Sequence, residues 1–173
     1  MDTGRVVKHT ELLLMLAVTV LGQDRLPQRF EDFPAPTGWK GRPVALRLRT
    51  RSEVFLRRPL LEAAREPPNF ATHYRFTMWL CGWSCLSGAI VDLATGRVID
   101  PPRVESNSPW LSFSLCQSAY SGSGVEVQAN SKLIIVHCGL NYSVLSHRNV
   151  PDVYYFVFEN QHFRKLAHLH KNR

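Results

Sequence analysis

The sequence predicts a mainly β protein of the α+β kind: an antiparallel β-meander of roughly seven to nine strands with one N-terminal helix packed on it. Three observations lead there. Within residues 73–80 the side chains alternate at period two, Phe76, Met78 and Leu80 against Arg75, Thr77 and Trp79, the spacing of a strand with two faces. Strand-like runs are separated by short stretches of turn-forming residues, at 92–97, 129–131 and 159–161. No helical crossover stands between those runs, so successive strands are expected to be antiparallel. At 173 residues the chain is long enough for one domain with its own core.

Taken in order, residues 1–22 read as a signal peptide. Arg5, Lys8 and His9 form a basic start, and the uncharged run 12–22 stops at Gln23-Asp24-Arg25. That run is too short for a mature membrane anchor, and Val20 and Gly22 supply the small residues of a cleavage site. A buried N-terminal helix is the other reading. Residues 23–43, with Pro27, Pro34, Pro36, Gly38, Gly41 and Pro43, form an irregular lead-in to a single β-rich domain at 44–173. Residues 44–49 alternate apolar with basic and predict a short edge strand. Ser52 is placed to cap a helix over 53–66, which Pro59 breaks or bends and Pro67-Pro68 ends. Strands follow at 73–80 and 86–91, with the 92–97 turn leading into Val98-Ile99. A Pro/Ser-rich loop at 101–109 precedes a strand at 110–115. Beyond the Ser121-Gly122-Ser123-Gly124 linker come two hairpins, 125–128 with 132–137 and 153–158 with 162–166.

Cys81, Cys85, Cys116 and Cys138 all lie beyond the signal, and four cysteines in an exported chain predict two disulfides. All three pairings are open. In one regular strand Cys81 and Cys85 would stand about 13 Å apart, whereas a disulfide tolerates about 7 Å at most, so their bridge requires a turn. Gly82 and Ser84 favour such a turn, and with it Cys81–Cys85 and Cys116–Cys138.

The formal charge is +7. Much of the excess lies at Lys40, Arg42, Arg47, Arg49, Arg51, Arg57 and Arg58, against Glu53 alone in that stretch. Arg47, Arg49, Arg51, Arg57 and Arg58 are the candidate anion-binding residues, suited to an anionic cell-wall polymer or an acidic partner. Export argues against nucleic acid, and a solvated face is the plain alternative. No second apolar stretch predicts a membrane span in the mature chain.

Catalytic signatures are weak. Gly82-Trp83-Ser84-Cys85-Leu86 begins like a nucleophile elbow, but Leu86 replaces its second glycine. Cys81 or Cys85 with His73 or His137 has the chemistry of a thiol and base, and Cys81, Cys85, His137 and Cys138 that of a zinc site without the usual spacing. The sequence therefore predicts neither an enzyme nor a cofactor or metal. Phe76, Met78 and Leu80 are expected in the core, leaving Trp79 on the other face and Trp83 at the cysteine turn. Trp79, Gly82, Trp83 and Ser84 are the candidate partner-binding residues, with Tyr142 in a 139–149 loop as a second candidate.

Three segments carry a resemblance: residues 68–74 (Pro-Asn-Phe-Ala-Thr-His-Tyr), 79–85 (Trp-Leu-Cys-Gly-Trp-Ser-Cys) and 88–98, which contains Asp92-Leu93-Ala94-Thr95-Gly96. They resemble an uncharacterised family of exported bacterial β-rich proteins with a W-x-C-G-x-x-C segment, and with residues 130–136 and 153–156 the likeness covers about residues 40–167. It implies a periplasmic or secreted β protein and carries no activity with it. The chain departs from the pattern at Leu80 before Cys81, and at Thr72, where glycine is usual, which argues against a tight backbone role for position 72. The function expected is non-catalytic binding of another protein, of the enzyme-inhibitor or toxin-immunity kind. Binding of a small ligand or anionic cell-wall polymer is the first alternative, and a cysteine-dependent enzyme the second.

Overall fold

The computed structural model describes residues 28–82, 85–104, 114–116, 124–143 and 148–169; side chains at 81, 82, 114, 116, 139–143 and 148–151 are outside that description. The expected signal peptide at 1–22 lies outside the described residues, as do Trp83 and Ser84.

Two antiparallel sheets face each other. The first holds β1 (Tyr74–Gly82), β2 (Cys85–Asp92), β3 (Val98–Ile99) and β4 (Ser114–Cys116), with β1 on one side of β2 and both β3 and β4 on the other. The second runs in chain order through β5 (Gly124–Val127), β6 (Leu133–Ser143), β7 (Arg148–Glu159) and β8 (His162–Leu169). The expected single meander is therefore divided in two. The division follows from burial, because β2 is apolar on both faces. Leu86 and Ile90 enter the core between the sheets, while Ala89 and Val91 pack on the opposite side. A strand buried on both sides needs a layer on each.

Phe70, Phe76, Leu115, Ile134, Val136, Tyr154, Phe156 and Phe158 fill the space between the sheets. Outside the first sheet, Leu60 and Ala63 close a second cluster over Ala89, Val91 and Leu93. Outside the second sheet, Phe30 and Phe33 pack with Leu133, Ile135 and Tyr155. The irregular lead-in is thus a covering layer. Ser131, 1% exposed, fastens it: its hydroxyl lies 2.8 Å from the Phe30 carbonyl and 3.0 Å from that of Phe33, and accepts the Leu133 N–H.

Two short helices, α1 (Arg51–Phe55) and α2 (Arg57–Ala63), replace the one expected. The N-cap is Thr50 rather than Ser52. Its hydroxyl accepts the Glu53 N–H at 3.1 Å, and the Glu53 carboxylate accepts the N–H groups of Thr50 and Arg49. That is a capping box. The break at Leu56 has its cause in Pro59, which has no N–H to give the Phe55 carbonyl four residues back and crowds it. Residues 44–49, expected as an edge strand, are not one. They lie along the β2–β3 turn, where Val44 N–H donates to Leu93 and Arg47 N–H to Gly96. In that turn Asp92 accepts the N–H groups of Ala94 and Thr95 and the Thr95 hydroxyl.

Candidate functional site

β1 lies at the margin of its sheet, and its outer edge is treated differently along its length. At Tyr74 it is closed by Phe70: the Tyr74 N–H donates to Phe70, and the Tyr74 carbonyl accepts the N–H groups of Asn69 and Phe70. At Phe76 the side-chain amide of Asn69 stands in for a strand, its oxygen accepting the Phe76 N–H at 2.7 Å and its NH2 donating to the Phe76 carbonyl at 3.0 Å. Because in-plane backbone groups alternate along a strand, the next residues to present N–H and C=O outward are Met78 and Leu80. Among the described residues no strand pairs with them on that side. Their side chains are 49% and 75% exposed.

This corrects the expectation that Phe76, Met78 and Leu80 form one core face. Phe76 is buried between the sheets, and the packing that covers it stops short of the other two. Trp79 turns to the opposite face, where it is half-buried against the cluster of Leu60, Ala63 and Leu93 beneath the helices. Its indole is thus packed under the helical layer rather than presented as a free anchor.

The strand then reaches the cysteine turn. Leu80 faces Leu86 and Gly82 faces Cys85, and the register shifts between Leu80 and Gly82, which leaves Cys81 as an extra residue in the ladder. Cys85 and Cys138 are both disulfide-bonded, and no described cysteine is free. Tyr142 belongs to β6, opposite Asn149 of β7. The expected 139–149 loop is largely the arm of a hairpin, since β6 continues to Ser143 and β7 begins at Arg148.

Arg47, Arg49, Arg51, Arg57 and Arg58 are all exposed. Glu53, the one acid of that stretch, is buried and occupied by the cap, so it does not offset the arginines at the surface. Arg58 pairs with Glu62 at 3.2 Å in an exposed contact, of the kind worth little in water. Nearby, burial raises the Asp100 carboxyl above its ordinary value; Arg103 opposes the shift and Glu53 adds to it.

The titratable pairs have structural partners. His73 lies 3.4 Å from Asp92, whose oxygens also serve the turn. His137 meets Glu126 across the β5–β6 pair at 2.6 Å, and His168 stacks on Tyr154 beside Asp152. Among the described residues no cluster of three or more His, Cys, Asp or Glu could hold a metal ion, and no helix is long and apolar enough to cross a membrane. An open cavity of about 500 Å³ lies where the Ala71-Thr72 turn meets the β7–β8 turn, with Tyr74, Lys132 and Glu159 in its lining.

Met78 and Leu80, expected in the core, and Asn69, for which the sequence suggested no role, are the residues the structure adds to the site. Met78 and Leu80 carry the pattern of a core face, and only the extent of the opposite sheet decides otherwise. The amide of Asn69 acts seven residues along the chain, beyond the reach of local pattern. No protein-family model, curated protein or solved structure matches the chain.

Proposed function

We propose that this chain is an exported, non-catalytic binding protein that acts by contact with another protein, in the manner of an enzyme inhibitor or a toxin-immunity protein. One observation carries the reading: Met78 and Leu80 present apolar side chains, and backbone groups that no strand among the described residues pairs, at a strand edge that leads into the cysteine turn. Exposed apolar residues beside free N–H and C=O groups are what strand-adding partners engage. A turn held by a disulfide keeps such a surface in one shape, which lowers the entropy lost on binding. The bonded state of Cys85 and Cys138 weighs against a thiol enzyme. In this reading Cys81 pairs with Cys85 and Cys116 with Cys138. The second pairing is supported by the packing of β4, which carries Cys116, on β6, which carries Cys138. Peptide mapping without reductant tests it.

The functional test is affinity capture with the purified protein as bait, beside Leu80→Asp, Met78→Asp, Trp79→Ala and Trp83→Ala. The expected result is one protein partner whose affinity falls tenfold or more, about 1.4 kcal/mol, with either aspartate. A partner indifferent to both aspartates would sink the reading. The cavity beside Lys132 and Glu159 favours small-ligand binding as the second reading. There, Lys132→Ala would abolish thermal stabilisation by the ligand and leave protein capture untouched.

A further inference from the structure

The corner between α1 and α2 combines features that the strand edge does not use. Val54 is 58% exposed and Phe55 87%, two consecutive apolar side chains standing in water where the helix breaks. Arg51 is one turn before Phe55 on the same helical face. Arg57, Arg58 and Arg65 line an open groove of about 390 Å³ with Phe55, Leu61 and Glu62. Glu53 points inward to its cap, and Glu62 faces Arg58, so positive charge dominates the exposed corner.

We propose that this corner is a peripheral attachment site for an anionic lipid bilayer. The surface asks for two things of its occupant: negative charge at the level of the arginines, and an apolar medium that receives a protruding phenyl ring. A soluble polyanion supplies only the first. A bilayer with anionic headgroups supplies both in adjacent layers, with phosphates for the guanidinium groups and acyl chains for Phe55 and Val54. Attachment is shallow and reversible, since two side chains enter, and salt weakens it by screening the arginine contribution. The groove next to Phe55 offers a headgroup phosphate a place between Arg57 and Arg65.

The test is flotation of the purified protein with vesicles of phosphatidylcholine containing about 30 mol% phosphatidylglycerol, beside vesicles of phosphatidylcholine alone. Binding is expected to the anionic vesicles and not to the neutral ones, falling about tenfold in Phe55→Ser and in Arg57→Gln/Arg58→Gln. Thermal melts of these variants should match the parent, since the altered side chains lie at the surface, and Leu80→Asp should bind vesicles normally. Absence of binding to anionic vesicles would overturn the proposal. So would binding unaffected by Phe55→Ser, or polyglutamate capture that needs the arginines and ignores Phe55, which would assign the corner to a soluble acidic partner.

Discussion

Thr72 is held at φ +79 and Ala71 at φ +38, a left-handed backbone that costs a β-branched residue about 1–2 kcal/mol. Contacts hold it there: the Thr72 N–H donates to Ala129 and the Ala71 N–H to Ser131, and the Thr72 hydroxyl donates to the Pro36 carbonyl at 2.6 Å. Position 72 thus carries a tight backbone role, contrary to the expectation from the sequence, and threonine meets that demand under strain. Thr72→Gly should therefore be more stable than Thr72→Ala by about 1 kcal/mol, because both lose the hydroxyl and only alanine keeps the strain. Chemical denaturation of the two variants decides it; equal midpoints would refute the strain. Gly96, at φ +74, needs its missing side chain for a second reason, because a Cβ would strike the Ala45 carbonyl. Titration adds a prediction at the same scale. The Tyr74 hydroxyl is raised above its ordinary value, first by burial and then by the Asp92 charge, with Arg97 opposing. The folded chain then holds this proton more tightly than the unfolded one, so its stabilising contribution is whole below about pH 10 and is lost as pH rises through the folded value. Tyr74→Phe should flatten the alkaline limb of the stability curve, and Tyr155, raised by burial and Glu126, accounts for part of what remains.

At the scale of elements, the hairpins at 92–97, 129–131 and 159–161 were legible because turn chemistry is local. Asp92 and Gly96 mark the first, and Asn160 at φ +52 with Gln161 at φ +63 form the last. The helix was legible in place but not in its start. Thr50 and Ser52 are both good caps, and the box is closed by Glu53 standing three residues after Thr50. Thr50→Ala should cost about 1 kcal/mol, read by thermal melting. Residues 44–49 alternate like a strand, yet their backbone partners are a turn, which alternation alone cannot announce. The outer edge of β1 gives the sharper test. Asn69→Ala removes both bonds that close the edge at Phe76. The expected loss is about 1–3 kcal/mol, with concentration-dependent association in sedimentation as the newly opened edge finds another strand. A variant that stays monomeric at full stability would mean that Asn69 does not guard the edge.

Across the whole molecule, apolar layers lie on both sides of both sheets, and Cys85 and Cys138 are disulfide-bonded. Reduction should lower stability by about 2–5 kcal/mol, seen as a drop in melting temperature with dithiothreitol. An unchanged melt would show that the layers suffice. The sequence by itself determined the strands at 73–80, 86–91, 125–128, 132–137, 153–158 and 162–166, the turns at 92–97, 129–131 and 159–161, the antiparallel sense of their pairing and the cysteines available for bridging, because each depends on residues near one another in the chain. The tertiary structure alone decided that the strands divide into two sheets, that the lead-in becomes a layer, that Trp79 is half-buried while Met78 and Leu80 are exposed, and that Glu53 turns inward to its cap. Those outcomes depend on where one layer ends over another, and the edge of a layer is set by contacts between residues far apart in sequence.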